Sequence, residues 1–278
     1  MTMSGEPRAS VELGRPTQET FQVLRRDGPR LLGLALILFW LPGTAFQILM
    51  IRGAAAGDTH SVKPTLQIAA TLALVAAHSA FAAATVKIAL DRLSGEHASP
   101  QTVVSAIVDA FPIVFTVFLL MRWGALARLF LASPSPLAPG VVLMLVGLGS
   151  AVASILKLGF FGVLTPVVAA PFAHAGGRAE PMVRLMKAGR WPLVMVYFGV
   201  WGVWGVAALV IAAPFVGNSF AITAATAPTA FGVGQLALLM LPDSMVELGL
   251  TVFAAAYYRE LCRVHDGLTR SAVAEIFG

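Results

Sequence analysis

Long apolar runs separated by short polar segments set the pattern of this chain. Five runs are long and predominantly apolar: Leu31–Ile51, Pro64–Leu90, Phe111–Leu131, Val141–Ala170 and Trp191–Phe215. Each is long enough for an α-helix to cross a hydrocarbon core of about 30 Å, which takes roughly 20 residues. A sixth stretch, Phe231–Tyr258, is interrupted by Pro242, Asp243 and Glu247. The pattern predicts an all-α, polytopic membrane protein with six transmembrane helices, over about 31–51, 64–90, 111–131, 141–170, 191–215 and 244–264. An N-terminal tail (1–30) precedes this six-helix domain (31–265), and a short tail (266–278) follows it. A seven-helix alternative makes Ala221–Leu241 a span of its own.

Polar segments ahead of three of the runs carry helical apolar spacing: Phe21 and Leu24; Val104, Ile107 and Phe111; Met182, Leu185 and Met186. Leu24-Arg25-Arg26-Asp27-Gly28-Pro29-Arg30 before the first run has the outline of Leu185-Met186-Lys187-Ala188-Gly189-Arg190-Trp191 before the fifth. Asp109-Ala110-Phe111-Pro112 at the third echoes Asp27-Gly28-Pro29. These echoes predict three units, each a short cytoplasmic interfacial helix followed by a transmembrane hairpin. The alternative is that basic entries recur in any polytopic protein. Ser99-Pro100 has the cap-then-proline signature of a helix start.

Composition sharpens the class. Hydrophobic residues make up 58% of the chain and charged residues 12%, and mean hydropathy is +0.82. That is more apolar surface than one water-soluble core can hide. Fifteen cations fall on the side that holds both termini and four on the other (Arg52, Lys63, Arg122 and Arg128). This asymmetry predicts cytoplasmic termini. The excess of Arg over Lys and the abundance of Ala point to a GC-rich, bacterial genome. Cys262 is the only cysteine, so no disulfide can form within the chain.

The last apolar stretch leads into Tyr258-Arg259-Glu260-Leu261-Cys262-Arg263 and a short polar tail. With the Leu185, Lys187, Arg190 and Trp191 outline, this end resembles bacterial YciC-like proteins and the membrane domain that some glycerophosphodiester phosphodiesterases carry. The match departs at Gly189, which is displaced, and at Pro181, where those families often have Arg. The resemblance implies a six-helix inner-membrane protein. The likeness covers the membrane region alone, so phosphodiesterase activity is not expected from it.

Few residues suggest chemistry. Ser154 and Lys157 have Ser-x-x-Lys spacing, but Lys157 falls near the cytoplasmic edge of its span, where a lysine can snorkel to the headgroups. Asp243 and Glu247, four residues apart, share a helical face. If the last helix is continuous from Phe231, both lie inside the membrane, where a charge costs about 2.5–3.5 kcal/mol even on lenient scales. If it starts at Ser244, with Ser244-Met245-Val246-Glu247 as a capping box, both lie at the outer rim, and the sequence favours this start. His78 lies within the second span, where an interhelical hydrogen bond is its ordinary role. No histidine pair has metal-ligand spacing, and no cofactor or catalytic residue is expected. Small-residue stripes (Ala70, Ala73, Ala77, Ala80 and Ala84; Gly199, Gly202 and Gly205) suit close helix approach, within the chain or to a second copy or another membrane protein. Arg25, Arg26, Lys187 and Arg190 are the expected contacts to anionic lipid headgroups, in preference to nucleic acid. The leading expectation is a non-enzymatic accessory or lipid-associated protein. The alternatives are a small-solute transporter or channel using Asp243, Glu247 and Lys157, and an intramembrane enzyme.

Overall fold

The structure is a computed structural model that describes residues 13–55, 64–121, 192–207 (apart from 194, 198, 201 and 205) and 230–277. Among the described residues the chain is helical except at Leu13 and the 94–99 turn, and it contains no strand. Helix α1 (Gly14–Ala35) passes through a π-helical turn (Leu36–Trp40) into α2 (Leu41–Ala55). Helices α3 (Pro64–Leu93) and α4 (Pro100–Met121) follow, and α5 (Ala230–Phe277) runs for 48 residues. The apolar helical segment Met195–Trp204 packs on α5 through Tyr197.

Among the described residues, two helices are long and apolar enough to cross a membrane: Gly14–Leu49 and Leu66–Leu93. Several of their large apolar side chains face outward, among them Ile37, Leu41 and Leu66, each more than half exposed. Inside, α3 is surrounded by α1, α2, α4 and α5, and its stretch Phe81–Val86 is buried on every face. Only a helix apolar all round can occupy such a position, and the Ala82-Ala83-Ala84 run lets its neighbours come close. Helix α4 lies antiparallel to α3 and buries Val103, Ala106, Ala110 and Val114 at steps of three and four.

The 94–99 turn follows from local chemistry. Gly95, at φ +82°, closes α3 in the left-handed conformation that glycine adopts most readily. The Gly95 N–H donates to the Arg92 carbonyl (3.1 Å) and the Glu96 N–H to that of Asp91 (2.8 Å), which together make a Schellman motif. Ser99 then caps α4: its Oγ accepts from the Thr102 N–H at 3.2 Å, and Pro100 takes the first helical position as predicted.

Proline placement departs from expectation. A separate interfacial helix is predicted ahead of the first and third apolar runs, yet α1 passes straight through Pro29 and α4 through Pro112. In both units the polar segment and the start of the apolar run are one helix. A proline inside a helix gives up one hydrogen bond but keeps a helical φ. Here, a buried stripe on α1 (Pro16, Thr20, Val23, Leu31 and Ala35) spans both sides of Pro29, so a straight course keeps both halves packed. The π turn has a related origin. The Leu41 N–H reaches back to the Leu36 carbonyl just before Pro42, and the widened turn relieves the clash a proline ring makes with the carbonyl four residues back. The third predicted entry, 182–191, and the predicted spans over 141–170 and most of 191–215 lie outside the described residues.

Helix α5 carries the clearest correction. It begins at Ala230 and continues through Pro242, so the start at Ser244 does not hold. Ser244 is fully buried in mid-helix, and its Oγ donates to the Met240 carbonyl at 2.9 Å instead of capping a terminus. Just before Pro242 the helix is held by its neighbour: Trp40 Nε1 donates to the Ala237 carbonyl at 2.8 Å, and Gly43 approaches the Met240 side chain. Pro42 and Pro242 thus lie within two residues of the same contact.

Candidate functional site

Two polar constellations stand out, one along α5 and one where α1, α3 and α5 leave their apolar stretches.

Along α5, Asp243 and Glu247 are one turn apart and face the Met195–Trp204 segment. Asp243, half-buried, accepts a hydrogen bond from Trp204 Nε1. Two turns further along α5, the Leu250 carbonyl accepts from the Tyr197 hydroxyl at 3.4 Å. Trp204 and Tyr197 are seven residues apart and so are Asp243 and Leu250, as an antiparallel pairing of two helices requires. Glu247 lies between these rungs and is only 7% exposed. Its Oε2 has no hydrogen-bond partner among the described residues. Sequence reasoning singled out both acids but missed Trp204 and Tyr197. A seven-residue aromatic spacing within an apolar run is the signal that could have found them.

His78 is apart from both constellations. It is 6% exposed in the core of the bundle, stacked on Phe39 (centroids 4.1 Å, planes 8° apart) and edge-on to Phe118. No group of three or more His, Cys, Asp or Glu gathers among the described residues. Gly199 and Gly202 are exposed, with no atom within 4 Å of where a Cβ would sit. On α3 the alanine stripe is fully buried only at Ala84. Lys157, Lys187, Arg190 and Ser154 lie outside the described residues.

At the polar end, α1 and α5 are joined by ion pairs. Glu19 Oε1 accepts from Arg15 Nε (3.2 Å) and Arg259 Nη1 (3.4 Å), while buried Glu260 meets Arg263 and Arg15. Asp27 on α1 and Arg92 at the end of α3 form a two-pronged pair, with Arg92 Nε on one carboxylate oxygen and Nη2 on the other at 2.8 Å. That hydrogen bond holds the Asp27 carboxyl below the usual carboxylate range, against the opposing effect of its burial. Arg30 Nη1 donates to the Ala98 carbonyl at 2.9 Å, which ties α1 to the turn ahead of α4. Arg25 and Arg26 are exposed, and neither forms a hydrogen bond or ion pair among the described residues. Between α1, α3 and α5 is a cleft of about 260 Å³, whose walls include Glu19, Gln22, Arg26, Arg92, Gly95 and Arg259.

No protein-family model, no curated protein and no solved structure matches the chain.

Proposed function

We propose that this chain is a multi-pass bacterial inner-membrane protein with six transmembrane helices in three hairpins and both termini cytoplasmic. In this reading it is a non-enzymatic accessory protein that associates with anionic lipid. The two long apolar helices and their outward-facing Ile37, Leu41 and Leu66 support a lipid environment. The YciC-like kinship belongs to the same proposal and is supported by the Tyr258–Arg263 and Leu185–Trp191 outlines. The observation that carries the lipid reading is the convergence of Arg26, Arg92 and Arg259, from three helices, on one cleft just beyond the apolar runs. Cations at this level attract anionic headgroups by about 1 kcal/mol each.

Lipid retention tests it. Protein purified in mild detergent is expected to keep anionic phospholipid, and replacing Lys187 and Arg190 with alanine should reduce the amount. Retention of zwitterionic lipid alone would overturn the reading.

A second reading, coupled transport of a small solute or cation, is favoured by one specific observation. Helix α5 is continuous through Pro242 and carries a buried Glu247 with an unpartnered oxygen. Buried carboxylates in a membrane helix are candidate proton or cation sites. A cysteine scan from Met240 to Thr251 in a Cys262→Ser background, using an impermeant thiol reagent, tests it. Labelling along one face past Glu247 marks a water-filled path, whereas labelling that stops before Glu247 removes the case for transport.

A further inference from the structure

We infer that the cleft between α1, α3 and α5 is a binding site for a phosphate group, with Arg26 as its principal free ligand and Arg92 and Arg259 as oriented partners. The inference rests on the lipid-associated reading and gives it a place in the molecule.

Compensation of charge within the cleft carries the argument. Arg92 spends Nε and Nη2 on Asp27. This pairing fixes the guanidinium plane, and Nη1 has no partner among the described residues. Arg259 is held more loosely by Glu19, through one nitrogen at 3.4 Å. Arg26 has no carboxylate partner among the described residues, though it lines the same cleft. Two carboxylates therefore orient two arginines, and the third arginine supplies uncompensated positive charge. Planar guanidinium forks held in this way match the oxygens of a phosphate, and charge-assisted bonds to it are about twice as strong as neutral ones. A carboxylate ligand would use one fork, whereas a tetrahedral phosphate has oxygens for several.

The depth of the cleft names the source. Arg92 comes two residues after the apolar run that ends at Leu90, Arg259 directly after Tyr258, and Arg26 five residues before Leu31. At 1.5 Å per residue all three fall within about 8 Å of the ends of the apolar stretches. In the membrane reading this is the level of phospholipid headgroups. The Schellman turn contributes as well: Gly95 lets the chain reverse directly after Arg92, so the wall there is backbone without a side chain.

The test uses the full chain, purified in mild detergent and stripped of bound lipid. Two probes are titrated separately: phosphatidylglycerol in zwitterionic mixed micelles, and inorganic phosphate in detergent alone. Arg26→Gln is compared with Arg25→Gln, which removes the same charge one residue away from the cleft wall. Since both side chains are exposed and have no partner among the described residues, both variants should melt like the parent protein. The expected result is saturable phosphatidylglycerol binding, weakened about fivefold or more by Arg26→Gln, the equivalent of roughly 1 kcal/mol. Arg25→Gln should have a distinctly smaller effect. Equal weakening by the two variants would overturn the cleft while leaving a diffuse, lipid-associated surface intact. Inorganic phosphate binding as tightly as the lipid, with the same dependence on Arg26, would uphold the site but assign it to a soluble phosphate and refute the lipid reading. Binding of neither probe by the parent protein would refute both.

Discussion

Gly95→Ala and Gly33→Ala make a paired experiment in which one chemical change is expected to have opposite effects. At Gly95 the backbone has φ +82°, and no atom lies within 4 Å of where a Cβ would sit. An added methyl group therefore meets no clash, and the whole cost is that of placing an L-residue in the left-handed region, about 1–2 kcal/mol. Gly33 is inside α1 with the same open surroundings. There alanine gains the helix-propensity difference, about 0.8–1 kcal/mol. The two variants should differ by about 2–3 kcal/mol, on either side of the parent protein. Unfolding in mixed micelles of rising SDS fraction, followed by tryptophan fluorescence, measures each relative to the parent, and circular dichroism confirms equal starting helicity. Gly95→Ala should also disturb the Arg92–Asp27 pair, because Arg92 is part of the same Schellman turn. A neutral or stabilising Gly95→Ala would refute the turn geometry and, with it, the fixed orientation of Arg92 in the cleft.

Other expectations come from single contacts. Ser99→Ala removes the α4 cap and should cost about 1 kcal/mol, which Ser99→Asp should largely restore; no loss in the same unfolding assay would contradict the cap. Asp27 titrates below its ordinary value of about 3.9, so its contribution to stability is complete above about pH 4 and is lost as pH falls through the lowered folded value. Asp27→Asn should therefore destabilise at neutral pH and flatten the acid limb of the stability profile, and an unchanged limb would show that the pair with Arg92 does not form. Trp204→Phe and Asp243→Ala should be coupled in a double-mutant cycle by about 0.5–1.5 kcal/mol, the range for a single hydrogen bond. Additive effects would show that the rung between the two helices is absent.

What could be read from sequence depended on whether the deciding interaction is local. The start of α4 at Ser99-Pro100 and the all-helical character were legible, because a cap and a long apolar run act within a few residues. Helix continuity at Pro29, Pro112 and Pro242 was not. Proline's local cost is visible in sequence, but the packing that outweighs it, such as Trp40 against Ala237 across 197 residues, is not. The same division applies to the cleft. Arg26 belongs to a basic entry that any reading would notice. Its companions Arg92 and Arg259 reach it through contacts 65 residues away for Asp27–Arg92 and 240 residues away for Glu19–Arg259. Glu247 was visible as a charge in an apolar stretch. Its burial against the Met195–Trp204 segment depended on where α5 begins, and the apparent capping box pointed to the wrong start.

The pairing of α1 with α5 also has a consequence for biosynthesis. Val23 on α1 packs in one cluster with Val252 and Ala255, and the carboxylate of Glu19 meets Arg259, all more than two hundred residues downstream. During synthesis the first helix emerges long before its counterpart, so its inward face must wait, uncovered, until residues around 252–264 have been made. Nearly the whole length of the chain is a loop that this one contact closes, and closure entropy grows only slowly with such length. Waiting therefore costs little equilibrium stability, but it leaves a long interval in which a nascent chain exposes Glu19 and Val23 to an insertion factor, a protease or another nascent copy. The inward face of α1 is completed only when α5 docks on it.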